Sequence, residues 1–342
     1  MPVTTDTLSI GSINLILYAA KQCGADTDTL ARAIGVTSEQ LRNPDERVSI
    51  SKVQALWQEI VNTTGDADVA LKLGELVNPL TVGVLAYVMM HAPTLGKALE
   101  KLCHYQDIAC EGVRTTGHFT TSTTGEKQYV LSLQITSNSI IYPHHTFNSE
   151  LSIYLSVMRA LTGQPIVPCE VHFAYPHPID TREHERVFSS ARLTFDANVT
   201  AMVLDATLLD LPILNASSTL LDLFEKHAAA SLDRLKTPTL SRRVKTEIVS
   251  MMKGEEPTLA AIADRLAMGI RTLQLHLKDA GTTYQQLLDE TRKELAVSHL
   301  REPNLSTTDI AYLLGFAEPS VFFRSFKKWT GQTPGAYRMA VL

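Results

Sequence analysis

Apolar and polar positions along this chain alternate in two rhythms. From residue 12 to about 110 the rhythm is helical, carried by "INLILYAAKQCG", "DTLARAIGV", "SISKVQALWQEIVNTTG", "VALKLGELV" and "TLGKALEKLCHYQDIA". Glycine or proline follows most of these runs and stops them. From 118 to 215 the pattern is mixed. "FTTSTTGEKQYVLSLQIT" predicts a hairpin, with Val130, Leu131, Leu133 and Ile135 near-alternating. "HTFNSELSIYLSVMRALTG" predicts a helix, and "CEVHFAY", "RLTFD" and "AMVLD" predict short strands. The segment from 236 to 243, "KTPTLSRR", reads as a linker between domains of residues 1–235 and 244–342.

Beyond the linker the pattern repeats itself. "LAAIADRLAMGIRTLQLHLKDAG" (Leu259–Gly281) has a counterpart about 48 residues later in "TDIAYLLGFAEPSVFFRSFKKWTG" (Thr308–Gly331). Ile262-Ala263 corresponds to Ile310-Ala311, Leu266 to Leu314 and Met268 to Phe316; with one inserted residue, Leu273 and Leu277 correspond to Phe322 and Phe326. Leu259, Ile262, Ala263 and Leu266 fall at i, i+3, i+4 and i+7, the face of a short helix. After a break, a second helix carries its apolar pair at i and i+4. Two short helices packed across a tight turn form a helix-turn-helix, so units are expected at about 259–281 and 307–331. The proline-free "YQQLLDETRKELAVSHL" predicts one longer helix holding them apart.

Charge sharpens this division. The formal net charge is −5, but from Thr239 onward 14 Lys and Arg face 11 Asp and Glu, so the small domain is basic and the larger one acidic. A basic surplus on a repeated helix-turn-helix points to nucleic acid. On the first unit's second helix, Arg271, Thr272, Gln274, Leu275 and Lys278 lie away from Leu273 and Leu277; on the second unit the outward set is Ser320, Val321, Phe323, Arg324, Lys327 and Lys328. Arg and Gln suit guanine and adenine edges, and Val or Phe suits a thymine methyl. Lysines late in a helix suit phosphates.

The second unit resembles the signature of the AraC/XylS family of bacterial transcription regulators. The resemblance rests on Ile310-Ala311, Gly315-Phe316, Ser320, Phe322, Arg324, Phe326, Lys327-Lys328, Gly331, Pro334 and Tyr337-Arg338, and on "IADRLAMGIRTLQLHL" in the first unit. It departs from the family at Gly269 and Ala317, where many relatives carry a capping Ser, Asn or Asp, and at Leu275, where close relatives often have Arg. The larger part is similar to the arabinose-binding-like domain of the subgroup that includes ornithine-utilisation and virulence regulators. That likeness lies in "LARAIGVTSEQLRNPDERVSISKVQALWQEIVNTTGD", "VGVLAYVMMHAPTLGKALEKLCHY" and "VHFAYPHPIDTREHERVFSSARLTFDANVTAMVLDATLLDLPI". The fold class expected is an α+β N-terminal sensing domain, then an all-α domain of two helix-turn-helix units joined by a long helix.

The resemblance implies an effector-responsive activator that places its two units in successive major grooves of double-stranded promoter DNA. Its implied partners are a small-molecule effector, RNA polymerase and a second copy of the chain, as a homodimer. The alternative is a ligand-independent regulator whose N-terminal domain only dimerises. Polar residues within apolar runs mark candidate effector contacts: Tyr87, His91, His104, Tyr105, His144, His145 and Arg159. No HExxH, HxxxH, GxSxG, P-loop or GxGxxG occurs, so neither catalysis, a metal nor a cofactor is expected. Cys23, Cys103, Cys110 and Cys169 are scattered without CxxC spacing, and the run Ile13–Ala20 is too short to cross a bilayer. A cytoplasmic location with no membrane partner is the expectation.

Overall fold

Two three-residue strands, β1 (Thr7–Ser9) and β2 (Arg47–Ser49), pair antiparallel through Leu8↔Val48. Each runs directly into a helix, and Ser9 caps the first by accepting a hydrogen bond from the Ser12 backbone N–H. The computed structural model describes residues 6–76, 83–236, 239–252, 257–300 and 304–341, which separate into two compact units around residue 236.

In the first unit the helices are α1 (Ile10–Gln22), α2 (Thr27–Ala33), α3 (Ser38–Arg42), α4 (Ile50–Thr64), α5 (Val69–Lys72), α6 (Val84–Met90) and α7 (Leu95–Tyr105). Their ends follow local chemistry. Asp26 caps α2, Thr37 and Gln40 form a capping box on α3, and Gly65 closes α4 in the left-handed region. The sheet then forms from β3 (Val113–Thr121) and β4 (Lys127–Ile135), and α8 (Pro143–Thr162) follows. After it come β5 (Glu170–His172), α9 (Arg182–Phe188), β6 (Arg192–Thr194), β7 (Thr200–Asp205) and α10 (Ser218–Lys236).

Strand order is β3-β4-β7-β5-β6, antiparallel except for the β5–β6 pair. Tyr129, Leu131 and Leu133 of β4 are buried at alternate positions, as a strand with one core face requires. The central strand β7 is buried from Thr200 to Leu204. Helix α8 is buried on most of its circumference, and the turn at Gly74 presses so close that an added Cβ would stand 2.4 Å from the Ser152 backbone. Only glycine fits there.

The second unit is all helix: α11 (Leu240–Met251), α12 (Leu259–Arg265), α13 (Ile270–Asp279), α14 (Tyr284–His299), α15 (Thr307–Leu313), α16 (Pro319–Thr330) and α17 (Pro334–Val341). The apolar faces expected from the repeat meet in one core, with Ile262, Leu273, Ile310, Phe322 and Phe326 fully buried. The expected linker is shorter than its composition suggested. Helix α10 reaches Lys236 and α11 starts at Leu240, capped by the Thr239 hydroxyl, which accepts from the Arg242 N–H; residues 237 and 238 lie outside the described residues.

Candidate nucleic-acid interface and ligand cavity

In both helix-turn-helix units the turn places one residue in the left-handed region: Ala267 at φ 53° in the first and Gly315 at φ 72° in the second. Gly269 then caps α13 without a side-chain bond. In the second unit the cap is Glu318, with Pro319 as the first helical residue, so Ala317 lies outside the helix rather than at its cap. Proline favours that position because its missing N–H would be unpaired there in any case.

Along α13, Arg271, Leu275 and Lys278 fall opposite the buried Leu273 and Leu277, with Thr272 and Gln274 flanking them, and all five are exposed. Along α16, Ser320, Arg324, Lys327 and Lys328 fall opposite Phe322 and Phe326, flanked by Val321 and Phe323; all six are exposed. Ser320 is held by Glu318, to which its hydroxyl donates at 3.2 Å. Among the described residues, no carboxylate pairs with Arg271, Lys278, Arg324, Lys327 or Lys328. Each unit thus presents an uncompensated cationic edge with apolar members, Leu275 in one and Val321 and Phe323 in the other.

Two buried side chains that sequence reasoning passed over hold these units to their neighbours. Arg292 of α14 donates from Nε to the Leu314 carbonyl at 3.0 Å and from Nη2 to the Gly315 carbonyl at 3.1 Å, and its guanidinium lies 4.2 Å above the Phe316 ring. It therefore grips the turn of the second unit. Lys245 of α11 reaches Glu290 at 2.8 Å and Glu294 at 3.5 Å on α14. In sequence both read as the solvated face of an amphipathic helix.

The first unit holds a partly open cavity of about 100 Å³ lined by α1, α4, α6 and α8 and by Gln106, Ala109, Cys110 and Val113. Its wall is chiefly apolar, with Leu15, Ile16, Val53, Trp57, Leu85, Met89 and Val157 among its members. Polar groups in the wall are mostly occupied. Gln54 Oε1 accepts from the Ile141 and Tyr142 N–H groups at 3.0 and 2.8 Å, and Gln106 is bonded to both backbone groups of Thr115. Ser149 donates to the Thr146 carbonyl at 3.0 Å. Burial pushes the Cys110 thiol up to about 12 and raises the Glu150 carboxyl above its ordinary value. Glu150 interacts with the Tyr154 hydroxyl one turn on, which in turn lies 3.0 Å from the Thr115 hydroxyl.

None of the seven residues expected at an effector site lines this cavity. Tyr87 and His91 stack on Phe224 of α10, and His91 Nδ1 donates to the Asn215 carbonyl at 2.7 Å. His104 is exposed and meets the Tyr105 ring edge-on. Arg159 Nε donates to the Ile166 carbonyl at 2.8 Å. His144 and His145 lie against each other with ring centroids 4.0 Å apart. His145 stacks at 5.6 Å on Trp57, a residue of the cavity wall. Burial lowers its pKa to about 3 and that of His184 to about 4.

Among the described residues, no group of three or more His, Cys, Asp or Glu side chains could hold a metal ion, and no helix is long and apolar enough to cross a membrane. Residues 24–213 match the family model described as the arabinose-binding domain of AraC transcription regulator, N-terminal, and residues 262–340 match a helix-turn-helix domain. The ornithine utilization regulator of Pseudomonas aeruginosa is 29% identical, over 98% of this chain and 98% of its own. The transcriptional regulator VirS of Mycobacterium tuberculosis is 25% identical, over 93% of this chain and 92% of its own. The crystal structure of the regulator CdpR from P. aeruginosa aligns over 91% of this chain and 96% of its own, at 21% identity and a TM-score of 0.40.

Proposed function

The chain belongs to the AraC family of DNA-binding transcription regulators, with an arabinose-binding-like N-terminal domain, and from this premise we propose that it is an effector-responsive activator. The observation that carries the reading is the pair of cationic edges, on α13 and α16, that no carboxylate of the described residues neutralises. Each edge fits a major groove, with Arg271, Thr272 and Gln274 in one and Val321, Phe323 and Arg324 in the next, while Lys278, Lys327 and Lys328 meet phosphates. Leu275 offers one apolar contact and cannot read guanine. RNA polymerase, a second copy of the chain and a cytoplasmic setting complete the proposal.

The cavity in the first unit is the proposed effector site. A ligand there changes DNA binding or polymerase contact only by favouring one arrangement of the protein over another. The ornithine-related function of one relative supports a metabolite as effector without naming which.

Binding of selected duplexes by the full chain, followed by anisotropy across a salt series, tests the DNA reading. Affinity should fall steeply with salt. Arg271→Ala and Arg324→Ala should each cost about 1–3 kcal/mol and relax base preference at positions roughly one helical turn apart. Salt-insensitive binding, or loss of preference at the same positions in both variants, would show that the two edges do not read DNA as assigned.

A further inference from the structure

Glu150 is out of character with its surroundings. It sits in the middle of α8 on the wall of a mostly apolar cavity, and among the described residues no Lys, Arg or His shares that wall. The titratable groups that interact with it are the Tyr154 hydroxyl and the Cys110 thiol, neither of them charged at neutral pH. Arg47, the cation beyond Cys110, is committed to the Thr7 side chain and to the Ile108 carbonyl. A carboxylate can accept about four hydrogen bonds, and Tyr154 supplies one donor. The neighbouring Gln106 spends its amide N–H groups on the Cys103 and Thr115 carbonyls, while Gln54 accepts from two backbone N–H groups through Oε1 and keeps its Nε2 amide among the polar groups of the wall. Setting a half-buried carboxyl in a mostly apolar wall without a cation is costly, and burial does raise this one. A leucine at this position would fill the wall at no such cost.

The geometry points to Glu150 as the receptor of a single ammonium group on a small effector whose remaining body is hydrocarbon. This inference rests on reading the cavity as the effector site. It adds the ligand's charge, polarity and size. A buried ammonium is retained only when paired and hydrogen-bonded, and Glu150 supplies that pair. An acidic ligand meets like charge. A zwitterionic amino acid would bury its carboxylate with no cation to receive it, so the cavity discriminates between an amine and the amino acid of the same side chain. Size follows from volume. An apolar cavity of about 150 Å³ holds benzene, so one of about 100 Å³ accepts a smaller body, of about four or five carbons.

Titration calorimetry on the full chain, wild type and Glu150→Gln, tests this with four probes that share one branched body. They are 3-methylbutylamine, 3-methylbutan-1-ol, 3-methylbutanoate and leucine. Wild type should bind the amine roughly tenfold or more tighter than the alcohol, the margin expected of a charge-assisted bond, and should bind 3-methylbutanoate and leucine more weakly than either. Glu150→Gln should bring amine and alcohol to similar affinity. If the alcohol binds but the amine shows no preference, or keeps its preference in Glu150→Gln, the role of Glu150 is overturned and the cavity stands. If none of the four binds, the inference is overturned. Should an effector found by thermal-shift screening then also leave Trp57 emission unchanged, the effector-site reading of the cavity falls with it. The comparison of four probes on wild type decides the matter even if the variant folds poorly.

Discussion

Ala267 holds a conformation that its glycine counterpart Gly315 adopts freely, at φ 53° against 72°. An L-residue in the left-handed region brings its Cβ close to the carbonyl oxygen, at a cost of roughly 1–2 kcal/mol. Glycine escapes that cost but loses some of the gain through a more flexible unfolded chain. Ala267→Gly should therefore stabilise the C-terminal unit by about 1 kcal/mol, and Gly315→Ala should destabilise it by at least as much. The two tryptophans allow the measurement, because Trp57 lies in the first unit and Trp329 in the second. In a Trp57→Phe background, urea unfolding followed by Trp329 fluorescence reports the C-terminal unit alone. A destabilising Ala267→Gly would mean that the turn depends on the Ala267 methyl group rather than tolerating it.

At the scale of elements, the decisive piece is α14. Arg292 joins it to the turn of the second helix-turn-helix by two hydrogen bonds to carbonyls and one stacked ring. Arg292→Ala leaves the Leu314 and Gly315 carbonyls without those donors, and Arg292→Lys cannot restore a planar fork. Both variants should lose about 2–4 kcal/mol of C-terminal stability and weaken duplex binding, with Lys no better than midway between Ala and wild type. Guanidinium unfolding followed at Trp329, together with anisotropy on a selected duplex, checks this. The same helix shows what sequence patterning reaches. Leu273 and Leu277, like Phe322 and Phe326, announce their face because helical spacing is local, so the repeat and its outward edges were legible. Arg292 was not, because burial of a charged residue depends on a carbonyl pair more than 20 residues away. Strands β1 and β2 were hidden for a related reason: three residues leave no periodicity, and Ser9 and Ser49 at their ends read as the start of a helix. The cavity was the least legible feature. Ser12, Gln54, Gln106 and Glu150 come from separate elements, and a glutamate in a long helix ordinarily signals solvent. Tyr87 and His91 looked like pocket residues for their polarity, but an aromatic partner on α10, Phe224, takes their faces instead.

Across the whole molecule the two units differ in how they answer acid. The first buries His145 and His184, whose pKa values fall to about 3 and about 4 because burial penalises the charged ring, and His144 is lowered for the same reason. In the unfolded chain these rings titrate near 6.5. The folded state thus holds them neutral, and the contribution is complete above pH 6.5. As pH falls, the unfolded state gains protons that the folded state refuses, so stability drops until the folded ring titrates too. Glu150 and Asp68 act in the opposite sense, since burial raises both, and they offset part of the loss where they titrate. A difference measurement isolates one histidine from this sum. The stability gap between wild type and His145→Gln should be flat above pH 6.5. Below it, down to about pH 3, wild type should lose ground to the variant by up to about 1.4 kcal/mol per pH unit. Urea unfolding of the full chain in a Trp329→Phe background, read through Trp57 emission, gives that gap, while Trp329 in the complementary background should show no corresponding slope for the second unit. A gap that stays constant from pH 7 to 4 would mean that His145 takes up its proton in the fold, and that the ring stacked behind the cavity wall is reached by solvent.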